Sequence, residues 1–161
     1  MRSLLLLILV SAHATSFVIS GVPFVRQDTQ YCGPAALSSV MSYHGTALDQ
    51  QEIAKATYSA KLKGSLISDL ENFARNRGFE TVLAQGSLET IKGFVDRQKP
   101  VIALVDLGSW VVSRPHYLVI IGYTAEGFLA HTGYEASQLF TYEKFTRIWE
   151  KIGATYLVVS R

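Results

Sequence analysis

The apolar residues of this chain follow two rhythms. Between residues 33 and 95 they mostly recur at three- and four-residue spacing, the period of helices with one buried face. Gly33-Pro34-Ala35-Ala36-Leu37 opens the first such helix, where proline is tolerated because its missing N–H would be unpaired in the first turn anyway, and Gly45 after His44 stops it. Asp49-Gln50-Gln51-Glu52 has the form of a capped start, continued by Ile53-Ala54-Lys55-Ala56. Leu66, Leu70, Phe73 and Ala74 make a third apolar face that Gly78 ends, and Ser87 caps a short helix with Leu88, Ile91, Phe94 and Val95 turned inward. Phe79 to Ala84 reads as a strand between these two.

From residue 101 the rhythm changes. Val101 to Val105 and Tyr117 to Ile121 are unbroken apolar runs, as expected of strands buried on both faces. Glu126-Gly127 turns the second run into Phe128-Leu129-Ala130. Tyr142 to Lys151 returns to helical spacing with Phe145, Ile148 and Trp149 on one face, and Ala154 to Val159 closes as a strand. Phe17 to Val25, broken by Gly21 and Pro23, predicts an extended arm with a weak strand. Helices gather early and strands late, with no repeat and no linker, which predicts one α+β domain.

Composition narrows the class of function. The chain has 161 residues, 48% hydrophobic and 17% charged, the opposite of a disordered balance. A net charge of +2 without a run of like charges lacks the basic footprint of a nucleic-acid binder. The N-terminus points to export. Arg2, the apolar run Leu4 to Val10 and the small-x-small exit Ala12-His13-Ala14 have the plan of a signal peptide. Cleavage after Ala14 would leave a mature domain of residues 15–161 without a membrane span, in the periplasm or outside the cell. A retained anchor is the rival reading, but Leu4 to Ser20 falls short of the roughly 20 apolar residues of a span and is interrupted by polar ones.

Export gives weight to the single cysteine, Cys32, which has no partner for an internal disulfide. It stands where the first helix begins, so unpaired N–H groups and the positive end of the helix dipole favour its thiolate. Gly33 beside it allows close approach of a substrate. Acyl transfer by a thiol also needs a base and donors for the oxyanion. Gln27 is the candidate side-chain donor, with Gln30 in reserve and the Cys32 N–H as the second. Among the histidines, His116 begins the apolar strand at a sheet edge and can face Cys32, His44 fits a helix C-terminus, where partial positive charge is favourable, and His131 lies in or just past the following strand. Tyr31 and Trp110, with the 107–115 loop, are candidates for the cleft wall. No metal-ligand spacing links Cys32, His116 and His131, so no metal and no cofactor is expected.

Val22-Pro23-Phe24, Gln27, Cys32-Gly33-Pro34-Ala35-Ala36-Leu37 and His116-Tyr117 followed by Val119-Ile120-Ile121-Gly122-Tyr123 resemble the bacteriocin-processing, double-glycine leader peptidases. The resemblance implies a papain-like cysteine peptidase fold, with N-terminal helices packed on a mostly antiparallel sheet. It also implies Cys32 as nucleophile, His116 as its partner, Gln27 as oxyanion donor, and a preference for small residues such as Gly-Gly in a peptide or protein substrate. Two departures stand out. The aspartate that orients the histidine in that family falls at position 132, which is Thr132 here, so its hydroxyl is expected to accept from the imidazole. The family's leader-trimming members are fused to an exporter with an ATPase, which this chain lacks, so any exporter would be a partner encoded elsewhere. The readings that follow are a cysteine endopeptidase, a transpeptidase using the same thiol, and a non-catalytic peptide-binding module on a peptidase scaffold.

Overall fold

The computed structural model describes residues 16–161; the expected signal peptide, residues 1–14, lies outside them. β1 (Phe17–Val18) leads into an extended arm and then α1 (Cys32–Tyr43), α2 (Gln50–Thr57), a small hairpin of β2 (Tyr58–Ser59) and β3 (Gly64–Ser65), and α3 (Ile67–Asn76). β4 (Glu80–Gln85), α4 (Leu88–Asp96), β5 (Val101–Asp106), β6 (Pro115–Tyr123), β7 (Gly127–His131), β8 (Gln138–Thr141), α5 (Tyr142–Glu150) and β9 (Thr155–Ser160) complete the order. The main sheet runs β4-β9-β5-β6-β7-β8, with β1 against the far end of β6, and its pairings are antiparallel. Among the described residues no helix is long and apolar enough to cross a membrane.

The unbroken apolar runs are explained by two covered faces. Alternate residues of the central strands, Val101, Ala103 and Val105 with Leu118, Ile120 and Val158, meet Ile91 and Val95 of α4 and Phe145 and Trp149 of α5. The intervening residues, Ile102, Tyr117, Val119, Ile121, Leu157 and Val159, meet Leu37, Val40 and Met41 of α1, Ile53 of α2 and Leu70 and Phe73 of α3. The sheet is therefore the middle of three layers, and strand period two is hidden because both faces are buried.

The caps expected from sequence are present. Asp49 accepts from Gln51 N–H at 3.0 Å, Ser87 and Thr90 form a reciprocal capping box, and Gly45 and Gly78 take positive φ just past their helices. His44 is the C-cap residue of α1, but burial lowers its pKa, so it meets the helix end without the expected positive charge. Leu66 precedes α3 as an exposed N-cap rather than joining its buried face. The β2–β3 hairpin and β8 carry too few residues to show any period in the sequence, and they appear only in the structure.

Candidate active site

The arm between β1 and α1 makes few regular ladder bonds, so side chains hold it. Ser39 donates to Pro23 O at 2.5 Å, and His131 Nε2 donates to Val22 O at 3.0 Å. Gln50, at the start of α2, donates from Nε2 to Arg26 O at 2.8 Å and accepts Asp28 N–H on Oε1 at 2.9 Å. Its one amide thus grips the backbone on both sides of Gln27. Gln27 N–H is fixed in turn by Gly133 O at 2.9 Å.

Cys32 is the first residue of α1, as its sequence context predicts. Its side chain lies in a cleft of about 660 Å³ that Gln27, Asp28, Gln30, Lys63, Arg114, His116 and Tyr134 also line. A neighbouring, more apolar hollow of about 380 Å³ shares Cys32, Lys63 and Pro115 and is walled by Leu62, Leu66, Leu104 and Ile152. The nucleophile candidate therefore stands where two recesses meet. Burial pushes the Cys32 thiol up from its ordinary range, and the N–H groups of Tyr117, Gly33 and Cys32 itself pull it back without overcoming that. The helix start does lower the thiol's pKa, but desolvation outweighs it.

His116 is 6% exposed near the start of β6, opposite Val105 of β5. Its Nε2 lies 2.6 Å from the backbone carbonyl of Thr132. A carbonyl can only accept, so Nε2 carries the proton and Nδ1 of the neutral ring keeps its lone pair. Burial lowers the ring's pKa, the Thr132 carbonyl raises it and the Arg114 charge lowers it, with burial dominant.

Thr132 corrects the expectation about its hydroxyl. That oxygen accepts Tyr134 N–H at 3.2 Å and Glu135 N–H at 2.9 Å and donates to Glu135 O at 3.3 Å. The hydroxyl builds a tight turn, and it is the main-chain carbonyl that turns to His116. Gly133 follows with φ +82°, and a Cβ there would collide with Gln27 Oε1. Gln27 Oε1 is buried without a hydrogen-bond partner, while Nε2 donates to the Tyr134 hydroxyl at 3.1 Å.

Other sequence candidates are placed elsewhere. Gly33 is packed, not open: a Cβ would meet Leu70 Cδ1 and Tyr117 Cε2, each at 3.1 Å, so its lack of a side chain serves the seating of α1 on β6. Tyr31 packs edge-on against Tyr58, centroids 5.3 Å apart, and is not among the cleft-lining residues. Trp110 is 93% exposed at the tip of the β5–β6 loop, away from the cleft wall that Leu107 and Arg114 form at the loop's base. Gln30 does line the cleft, with its side-chain Oε1 accepting from the Tyr58 hydroxyl at 2.5 Å. His131 has both ring nitrogens engaged, Nε2 with Val22 O and Nδ1 with Ser137 N–H, and holds structure. Among the described residues no three of His, Cys, Asp and Glu converge as metal ligands. Sequence reasoning missed Tyr134, whose only signal was its nearness in sequence to Thr132, and Lys63, which had none because the β2–β3 hairpin that carries it shows no pattern in the sequence.

This arrangement matches known architecture. The fold superposes on a C39-like peptidase from Bacillus anthracis with a TM-score of 0.75, 18% identity, and coverage of 91% of this chain and 98% of that one. The peptidase domain of Streptococcus ComA, a bifunctional ABC transporter of a quorum-sensing pathway, gives 0.73 at 22% identity, covering 87% and 98%. A double-glycine motif protease from a PCAT transporter, solved with its leader peptide, gives 0.71 at 19%, covering 88% and 93%. The papain-like fold expected from sequence is thus the fold observed. No curated protein sequence matches the chain. The family model described as the Peptidase_C39 like family matches residues 19–157, and the chain belongs to that family.

Proposed function

We propose that this protein is a cysteine endopeptidase acting through Cys32 and His116. The observation that carries the reading is the His116 Nε2–Thr132 carbonyl bond, which leaves Nδ1 as the free base in the cleft that Cys32 and Gln27 share. In this mechanism Nδ1 takes the thiol proton as Sγ attacks the peptide carbonyl. The developing oxyanion is met by the Cys32 N–H and a Gln27 Nε2–H. Protonated His116 then gives its proton to the leaving amine, and water hydrolyses the thioester with His116 again as base. The Thr132 carbonyl orients the ring and fixes its tautomer, but a neutral acceptor offers an imidazolium less than a carboxylate does. Burial disfavours the charged form of both partners, so in this reading the pair rests as thiol and neutral imidazole and proton transfer accompanies attack.

The related protease solved with a leader peptide makes double-glycine peptides the first substrates to try. On the signal-peptide reading of residues 1–14, cleavage would take place outside the cytoplasm. The test is a proteome-derived peptide library incubated with the domain, new N-termini being read by mass spectrometry. Cleavages that vanish in Cys32→Ala and in His116→Ala support the reading. A domain that binds library peptides and cleaves none is a binding module, and products joined to an added amine mark a transpeptidase.

A further inference from the structure

Tyr134 touches both halves of the proposed machinery, and neither the family pattern nor the sequence singles it out. Its ring stacks on His116 with centroids 5.8 Å apart and planes 9° apart, and its hydroxyl accepts Gln27 Nε2–H at 3.1 Å. The side chain is 57% exposed, so it is not there to fill the core. Its backbone N–H is held by the Thr132 hydroxyl, in the same turn whose Thr132 carbonyl orients His116 and whose Gly133 carbonyl fixes Gln27 N–H.

We propose that Tyr134 is a positioning residue that couples base to oxyanion donor, a role that rests on the peptidase reading. The Gln27 amide has two N–H bonds. Tyr134 holds one, and Gly133 leaves room for Oε1 on the inner side, so the second N–H is presented to the cleft. The π face, meanwhile, lies along the ring that must become imidazolium during attack. A ring face attracts such a cation, which supplies part of what the absent carboxylate would. The other charged or titratable groups that line the recesses on the two sides of His116 are Cys32, Asp28, Lys63 and Arg114 in front and Arg114, Glu135 and Lys144 behind.

Two measurements on Tyr134→Phe and Tyr134→Leu test this without a known substrate. The first is the affinity of acetyl-Gly-glycinal, read as protection of Cys32 from iodoacetamide. Sγ bonds to the aldehyde carbon, the C=O π bond opens, and the thiol proton passes through Nδ1 to the oxygen that Gln27 faces. Both variants are expected to bind the aldehyde about 5-fold more weakly, the scale of one neutral hydrogen bond. The second is the His116 titration by NMR in a Cys32→Ala background. Tyr134→Leu is expected to lower the midpoint by about half a unit, and Tyr134→Phe, which keeps the ring, to leave it in place. Unchanged aldehyde affinity in Tyr134→Phe, or an unchanged midpoint in Tyr134→Leu, overturns the coupling. If the wild type binds no aldehyde, the peptidase reading falls and the proposal with it; if wild type and variants bind equally, only the proposal falls.

Discussion

At the scale of single residues, the departure at Thr132 changes which proton state the site holds at rest. Desolvation raises Cys32 and lowers His116, and the orienting group is a carbonyl. Both shifts favour the uncharged pair, so Cys32 alkylation by iodoacetamide should climb only above the pH of about 8.5 at which a free thiol ionises. A reactivity plateau below pH 7 that His116→Ala abolishes would show instead that a preformed ion pair exists. Gly133 gives a sharper test of Gln27. Gly133→Ala places a Cβ on Gln27 Oε1 at a backbone with φ +82°, so the amide must leave its position. Peptide turnover should fall about 10- to 100-fold, as for a weakened oxyanion donor, while the alkylation profile stays that of the wild type. The sequence pointed to Cys32 by its place at the helix start and to His116 and Gln27 by the motifs that resemble the leader peptidases, and the three line one cleft. The Thr132 carbonyl was not legible, since every residue has one and only the turn that the Thr132 hydroxyl builds decides where it points.

At the scale of elements, the arm that carries Gln27 behaves as a part of the site because α2 and β7 hold it. Gln50 satisfies Arg26 O and Asp28 N–H with one side chain, and these partly buried groups lose their partners together in Gln50→Leu. That substitution should cost about 2 kcal/mol in denaturant unfolding and lower turnover further through Gln27, with Cys32 alkylation unmoved. Equal losses in turnover and alkylation would mean that the whole helix start had shifted. The four long N-terminal helices and strands were legible from caps and periodicity. The β2–β3 hairpin was not, and it matters here: Leu62 and Lys63 at its tip help to wall the recesses beside Cys32, and Ser65 O accepts the Tyr117 hydroxyl at 2.8 Å. Strands of two residues show no alternation, and their position is fixed by partners distant in sequence.

At the scale of the whole molecule, the sheet reads across from one helical layer to the other, and the loop before His116 is pinned from the layer opposite Cys32. Asp106, 4% exposed at the end of β5, accepts Gly108 N–H at 2.7 Å, Arg114 N–H at 2.8 Å and the Ser113 hydroxyl at 2.8 Å, and pairs with Lys151 Nζ at 3.1 Å just past α5. These donors, the Arg114 N–H foremost, hold its carboxyl well below the usual carboxylate range against the opposing pull of burial. A native pKa below the unfolded one means that the carboxylate stabilises the fold fully above about pH 4 and that this contribution drains away as pH falls through the lowered native value. Asp106→Asn should therefore cost about 2 kcal/mol at pH 7, a figure held down because Lys151 is partly exposed and screened. The difference from wild type should shrink steadily on acidification below pH 4. Thermal melts of both proteins from pH 7 to 2 check this, and a difference that stays constant across the range would mean that the carboxylate charge contributes nothing. Because Arg114 and Leu107 at the base of this loop also line the cleft, the variant should shift KM for peptide more than it shifts the alkylation profile of Cys32. The exposed tip at Trp110 should tolerate substitution with neither effect, which separates the loop's pinned base from its free end.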